Sequence, residues 1–484
     1  MSHNRLIKNY VYNTAYQLLV LIAPLITTPY VSRVLGATGI GIYSYAQSIA
    51  TYFVLVGAVG TTLYGQREIA FVQNDPAKRS AVFWEIILIR VAAVSACTVI
   101  YYLIFASHGQ YTAVYRILTL EVIATALDVS WFFMGMENFR LTVIRNTIIK
   151  LVGIILVFLL VKTPDDVNRY TLCLTLPVFL GNVSLWPGLR KYLVKPTAPV
   201  CSGIPKHIKP ILVLFLPQIA TEVYTVLDKT MIGAICTDIA QVGFYTQAQK
   251  IVKIVLTIVT SLGTVMLPAM SAAFANNQKD KIVESICVAF RFIFLLASAL
   301  TFGLLAISQR FVPIFFGKGY DLVTPLMTVI SPILVIIGIS NVIGKQYLLP
   351  TMQQRAYTIS IVAGAGTNLA MNAILIQPFG AIGASIATVV AELVVTMVQI
   401  WFVKEQLPVK KCLKPLARYW LFGFVMFIVV KLCDSLLPAG ILGLAGMILI
   451  GIAIYAVELL VTKDPLLKMG MQMINRRKAG KNNV

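Results

Sequence analysis

Acidic side chains are scarce in this sequence. Its 484 residues hold 19 Asp and Glu against 40 Lys and Arg, and charged residues of both signs make up only 12%. Soluble domains carry about 25% charge, so a water-facing globule is excluded. Histidine is scarcer still, with only His3, His108 and His207. No Asp-x-Asp occurs, and neither does a G-x-x-x-x-G-K-[S/T] phosphate loop. Nucleotide-driven pumping within this chain is thereby excluded, and the usual means of glycosyl transfer or polymerisation at a membrane surface are missing. The seven cysteines (97, 173, 201, 236, 287, 412 and 433) form no C-x-x-C pair and lie mostly in apolar stretches. They are expected to be small core residues, not disulfides or metal ligands. The first apolar run has no A-x-A cleavage site and is expected to remain as a first span. No catalytic residue, metal site or cofactor is expected.

What the chain does have is apolar length. It is 58% hydrophobic with a mean hydropathy of +0.83. The apolar residues fall in blocks of roughly 20, the length that crosses the hydrocarbon core as a helix. Ten-residue alternation is missing, which excludes a membrane β-barrel. The expectation is an all-α polytopic membrane protein of about 14 transmembrane helices. Basic residues collect in alternate loops: Arg5 and Lys8, Lys78 and Arg79, Lys191 to Lys209, Lys404 to Arg418, and the tail after Lys463. This positive-inside bias puts both termini in the cytoplasm and accounts for most of the net charge of +21. It removes the need for a nucleic-acid partner, and the cationic tail is expected to sit at the anionic leaflet.

The chain repeats itself. "GIGIYSYAQSI" (39–49) matches "QVGFYTQAQKI" (241–251) at Gly41/Gly243, Tyr43/Tyr245, Ala46/Ala248, Gln47/Gln249 and Ile49/Ile251. "MGMENFRL" (134–141) and "PTMQQRAY" (350–357) hold equivalent places one repeat apart. Duplication predicts two six-helix lobes, residues 1–194 and 210–405, related as a parallel repeat. A Pro- and Lys-rich cytoplasmic linker, 195–209, joins them, and residues 406–484 add two further helices and the tail.

Polar residues line single faces of several spans at helical spacing. Lys250, Lys253, Thr257, Thr260, Ser261 and Thr264 form one stripe. Others are Ser385 to Glu392 to Gln399, Asn13 with Gln17, Tyr43 with Gln47, Glu121 with Asp128, and Asn368 with Asn372. Hydroxyls and amides alone would serve as glue between packed helices. Ionised groups inside a membrane need water or a partner, which for Lys250, Lys253, Arg291, Glu392 and Glu121 points to a hydrated cavity. "TEVYTVLDKTMIG" (221–233) adds Glu222 and Lys229, seven residues apart and so on one face, with Asp228 about 100° away.

In order, "YVSRVLGATGIGIYSYAQS", "LYGQREIA", "FMGMENF", "LDKTMIG", "VGFYTQAQKI" and "NAILIQPFGAIGASIAT" resemble the Wzx-type polysaccharide flippases. These belong to the multidrug/oligosaccharidyl-lipid/polysaccharide exporter superfamily. The resemblance spans essentially the whole chain. It implies movement of an undecaprenyl-pyrophosphate-linked oligosaccharide across the bacterial inner membrane by alternating access, without covalent chemistry. It further implies that the lipid tail stays in the bilayer along spans 13–14. A polysaccharide polymerase is the protein partner in view, and H⁺ or Na⁺ is the coupling ion to consider. Relatives that flip lipid II hold the pyrophosphate with Arg on the first helices. Here Arg33 is at the outer end of span 1, and span 2 has no Arg before Arg67. Cavity candidates are therefore Lys250, Lys253 and Arg291 for the pyrophosphate, with Lys345 and Arg33 as further cations. Gln47, Asn13, Gln17, Asn368 and Asn372 are candidates for sugar hydroxyls. Coupling candidates are Glu222, Asp228, Lys229, Glu392, Glu121 and Asp128. A drug or cation antiporter on the same fold stays open on the strength of Glu121, Asp128 and Glu222. A membrane glycosyltransferase or polymerase of the same pathway is the weaker alternative.

Overall fold

Hydrocarbon offers no partner for backbone N–H and C=O groups, so a chain this apolar must satisfy them within helices. The structure, a computed structural model, is helical throughout, with no strand among the described residues. It describes residues 3–194, 203–276 and 278–467, and side chains there except those of 3–15, 18, 216–218, 220–224, 262–269, 275 and 279. Among the described residues, ten helical stretches are long and apolar enough to cross a membrane. Two of them run for 53 and 50 residues, about 75–80 Å at 1.5 Å per residue, more than twice the hydrocarbon thickness. Each is broken by a glycine with positive φ, Gly36 at 66° and Gly380 at 56°. A Cβ disfavours that backbone, so glycine is what lets one long run become two spans.

The chain forms two compact units, Met1–Thr246 and Gln247–Val484. The first holds α1 (His3–Ala58), α2 (Thr61–Phe71), α3 (Pro76–Tyr101), α4 (Thr112–Leu127), α5 (Ser130–Gly135) and α6 (Phe139–Leu160). It continues with α7 (Val167–Val183), α8 (Trp186–Leu189), α9 (Ile204–Ile235) and the start of α10 (Ala240–Ala275). α3 begins where Asp75 accepts from the Ala77 and Lys78 backbone N–H groups at 3.1 Å, with Pro76 at the first helical position. The Lys78 N–H holds the Asp75 carboxyl below the usual carboxylate range. Aromatic residues close this end of the unit: Phe83 stacks on Trp131 at 5.6 Å, and Phe132 and Phe133 pack beside them, all fully buried.

Gly41 and Gly243 were matched by the repeat, and they lie in mutual contact. A Cβ on Gly41 would overlap the Ile239 carbonyl oxygen, and one on Gly243 would overlap that of Ala37. Ala37 and Ile239 stand in the same register offset as the two glycines, 202 residues. The two segments therefore offer each other the same two positions, in a reciprocal contact within the first unit. Only a residue without a side chain permits backbones this close.

The second unit holds the rest of α10, then α11 (Lys279–Phe316), α12 (Val323–Ile330), α13 (Ile333–Asn341), α14 (Gln354–Val403), α15 (Val409–Leu413), α16 (Pro415–Asp434) and α17 (Ile441–Val461). α11 is its spine. Arg310 binds Asp434 (Nε to Oδ1, 2.5 Å) and donates to the Pro438 carbonyl at 2.7 Å, closing off the α16–α17 turn. Tyr455 of α17 donates to the Leu295 carbonyl at 2.8 Å. At the opposite end, Cys287 of α11 is disulfide-bonded to Cys412 of α15. This corrects the expectation that no cysteine is paired. The partners are 125 residues apart, and their meeting depends on α15 folding back onto α11, which spacing does not reveal. Cys97 and Cys173 are buried thiols, as expected, while Cys201 lies outside the described residues.

Each unit contains an interrupted span. The fourth expected span breaks between α4 and α5 at Asp128–Val129, and the tenth breaks between α12 and α13 at Ser331–Pro332. Beyond α13 the chain runs as a π-helical turn over Val342–Leu348.

Candidate functional site

At the α4–α5 break, side chains replace the lost helical bonds. Arg90 donates to the Asp128 carbonyl at 3.0 Å, Asn182 to that of Ala124 at 2.8 Å, and Trp186 to that of Leu127 at 2.9 Å. The Asp128 carboxylate accepts from the Ser130 N–H at 3.0 Å and lies 3.9 Å from both Arg90 and Arg145. Arg145 also binds the Asn182 side-chain oxygen. Asp128 is thus the centre of a nearly buried three-charge cluster. Neither Arg90 nor Arg145 had been singled out as a site residue, although an Arg inside "ILIRVAAV" is itself the signal of an intramembrane charge.

Two expected site residues do meet. Gln47 donates to Glu121 at 2.8 Å, with Tyr43 on the same face of α1 set edge-on against Tyr170 of α7 at 5.0 Å. Glu121 has no cation within ion-pair distance among the described residues. One face of α1 therefore presents the Gln47 amide to a half-buried carboxyl, with the Tyr43 ring beside it. Lower on the same unit, Asp228 is buried and accepts from the Tyr245 hydroxyl of the next helix. Beside it Thr230 links Ser48 (2.8 Å) and Tyr52 (3.1 Å) of α1. Lys229 is half-buried, while Gln17 and Arg33 are exposed on α1. The side chains of Asn13 and Glu222 lie outside the described residues.

A further cluster was not anticipated. Glu85 of α3 is buried and binds His207 at 2.7 Å and Lys206 at 2.8 Å, and His207 in turn binds the Tyr64 hydroxyl at 2.7 Å. It fastens the start of α9 to α2 and α3. Lys206 and His207 had been read as loop residues, and their partner is 122 positions away from His207.

In the second unit, α10 presents a polar stripe. Lys253, Thr257 and Ser261 are exposed at four-residue intervals, Lys250 and Thr260 are half-buried beside them, and Ile251, Val252 and Val259 are buried behind. Thr257, Thr260 and Ser261 donate to carbonyls of their own helix, which leaves hydroxyl lone pairs directed outward. Thr264 is outside the described side chains. Asn368 and Asn372, by contrast, are fully buried and bonded to each other at 3.1 Å. Gln399 donates to Ser360 at 3.2 Å, Glu392 is half-buried one helical face away, and Lys345 is exposed on the π-helical turn. Arg291 is on a different side of the unit, lining a cavity of about 410 Å³ with Asp280, Glu284, Lys411 and the Cys287–Cys412 bridge. A second cavity of about 460 Å³ lies between α11, α16 and α17, lined by aliphatic residues with Met426, Met447 and Tyr455.

The model of the polysaccharide biosynthesis protein family matches residues 6–274, more than half of the chain. An O-antigen transporter of Shigella dysenteriae is 22% identical over 79% of this chain and 96% of its own length. The O-antigen transporter of Escherichia coli K12 is 21% identical over 82% and 96%. A low-salt glycan biosynthesis flippase of Haloferax volcanii is 25% identical over 39% of each. Among solved structures, the lipid II flippase MurJ in an inward closed conformation superposes with a TM-score of 0.77 over 95% of this chain and all of that one, at 17% identity. An inward-facing multidrug transporter of the MATE family gives 0.58 over 79% and 94%, at 11% identity. At such identities these two likenesses bear on the fold alone.

Proposed function

The chain belongs to the polysaccharide biosynthesis protein family, a Wzx-type multi-pass membrane protein of the exporter superfamily, and we propose that it flips an undecaprenyl-pyrophosphate-linked oligosaccharide. Transport runs from the cytoplasmic to the outer leaflet of the bacterial inner membrane and supplies cell-surface polysaccharide. Both termini are cytoplasmic, the spans number fourteen, and a polymerase takes up the product. The observation that carries this reading is the α10 stripe. A membrane-length helix that exposes Lys253, Thr257 and Ser261 along one line would be expelled by lipid and is suited to a wet cavity. Lys250 and Lys253 form charge-assisted bonds to pyrophosphate oxygens, which are strong where water is partly excluded. The outward lone pairs of Thr257, Thr260 and Ser261 accept from sugar hydroxyls. The aliphatic cavity along α11, α16 and α17 suits the polyprenyl tail, because it offers no polar group to desolvate. Burial of Asn368 and Asn372 against each other favours a packing role for that pair.

The test is Lys250→Gln with Lys253→Gln. Lipid-linked oligosaccharide accumulates on the cytoplasmic leaflet while the protein remains folded and inserted. Export at the unaltered rate in the double variant overturns the cationic site. The antiporter reading has one observation in its favour, the half-buried Glu121, which has no cation within ion-pair distance among the described residues. H⁺- or Na⁺-driven efflux of a cationic dye by the purified protein, with no lipid-linked sugar moved, would establish that reading instead.

A further inference from the structure

The cavity at the basic end of α11 has an unusual electrostatic balance. Asp280, Glu284, Cys287 and Arg291 recur at intervals of four, three and four, which sets them on one face of α11. That face looks onto α15 and the start of α16, which contribute Lys411, Cys412 and Pro415. The Cys287–Cys412 bridge crosses the cavity wall and fixes the two elements together. Two carboxylates and two cations therefore line an open recess of about 410 Å³, with Asp280, Glu284 and Lys411 exposed and Arg291 half-buried, a volume in the range that holds small ligands. Among the described residues, none of the four makes an ion pair within 4 Å.

We propose that this cavity binds the head group of a zwitterionic, primary-amine phospholipid of the phosphoethanolamine type. Arg291 and Lys411 take the phosphate oxygens through charge-assisted bonds, and Asp280 and Glu284 take the ammonium N–H donors. The charges of the four side chains sum to zero. A free phosphate or a pyrophosphate meets two repelling carboxylates, and a simple cation meets two repelling bases. A ligand carrying one charge of each sign, a few bonds apart, satisfies all four. The position agrees: Lys281 is exposed on α11 and Lys410 and Lys414 are exposed on either side of Lys411 in the chain, as expected at the level of lipid head groups beside a basic face. The bound lipid would hold the α11–α15 junction and so the seating of the last two spans. This site is separate from the α10 stripe and does not depend on what that stripe carries.

The experiment uses the full chain, delipidated in detergent and selected as a monodisperse species, with three short-chain probes: dihexanoyl phosphatidylethanolamine, phosphatidylcholine and phosphatidylglycerol. Binding is read by native mass spectrometry and by thermal shift. Phosphatidylethanolamine binds about tenfold tighter than the other two, the equivalent of one charge-assisted hydrogen bond. Phosphatidylcholine has no N–H to donate, and phosphatidylglycerol has no cation. Asp280→Asn with Glu284→Gln removes the discrimination, and Arg291→Gln weakens all three. Lys411→Ala, at an exposed side chain, repeats the Arg291 arm where that variant fails to fold. Equal binding of the three lipids, a preference for phosphatidylglycerol, or competition by millimolar inorganic phosphate would each overturn the assignment. Retained phosphatidylethanolamine preference in the carboxamide variant would overturn it as well.

Discussion

Asp128 in the first unit and Arg291 in the second both lie where a membrane-spanning stretch carries charge, yet their surroundings are opposite. Asp128 has two arginines at 3.9 Å and caps the start of α5, and Arg90 is only 2% exposed. Arg291 is half-buried in a cavity with Asp280, Glu284 and Lys411, none of them in an ion pair among the described residues. In the first arrangement the charges are paired within the chain and hold a broken helix together. The second arrangement lacks partners that something outside the chain can supply. Intramembrane charge by itself therefore does not mark a binding site; charge left over after the fold has taken its share does.

Removing one arginine from each region is the severest test of that difference. Arg90→Met strands Asp128 beside a break whose carbonyl loses its donor, and it should cost about 3–5 kcal/mol, the usual penalty for breaking a buried pair. Arg291→Gln breaks no ion pair among the described residues and should change stability by about 0.5 kcal/mol or less. Thermal unfolding of the two purified variants, in the same detergent, separates them. Equal destabilisation would mean that Arg291 is as structural as Arg90.

The reciprocal glycine contact gives the next largest effect. Gly41→Val and Gly243→Val each drive a side chain into a backbone carbonyl, with an expected cost of about 1–3 kcal/mol apiece. Because both relieve themselves by parting the same two segments, the double variant should cost less than the sum. A costly Gly41→Val beside a harmless Gly243→Val would deny the reciprocity, and strict additivity would place the two strains in independent contacts.

Glu121 tests whether a carboxyl in the first unit can be functional although its neighbours satisfy it. Gln in its place keeps an oxygen for the Gln47 amide, so folding should change by about 1 kcal/mol or less. If Glu121 couples transport to protons, reconstituted Glu121→Gln protein loses the acceleration that a pH gradient gives, while Glu121→Asp retains it. A gradient response undiminished in Glu121→Gln removes this residue from the coupling candidates.

These contrasts also show what could be read along the chain. Helices, the repeat and the Gly41/Gly243 match were legible because each depends on spacing of a few residues or on direct likeness between segments. The pairing of Gln47 with Glu121 was half legible: each was on a polar face, but a face does not name its neighbour. Asn368 and Asn372 show the same limit from the other side, since four-residue spacing serves mutual bonding as well as sugar contact. The Cys287–Cys412 bridge and the Glu85–His207 pair join residues more than 120 positions apart, so only packing reveals them. Arg90 and Glu85 carried the ordinary signal of charge inside an apolar run.

The smallest effect belongs to a paired charge outside the spans. Asp166, just before α7, accepts from the backbone N–H groups of Lys162 at 2.8 Å and Thr163 at 2.9 Å and from Arg169 at 2.8 Å. The Lys162 and Thr163 N–H groups, reinforced by Arg169, hold its carboxyl below the usual range. A carboxyl depressed in the folded state stabilises fully above its unfolded value, about 3.9, and loses that contribution as pH falls through the folded one. Protection of the Lys162 and Thr163 amides from hydrogen exchange, relative to Asp166→Asn at the same pH, should therefore persist at pH 5 and fade only in more acid solution. Asp166 is itself buried, but the Arg169 side chain is 65% exposed to water and salt, so global unfolding should barely register the substitution. Were Asp166→Asn to unfold the protein as Arg90→Met is expected to, paired charge outside the membrane would weigh as much as paired charge within it. The contrast drawn between the two arginines would then rest on pairing alone and not on the membrane around the pair.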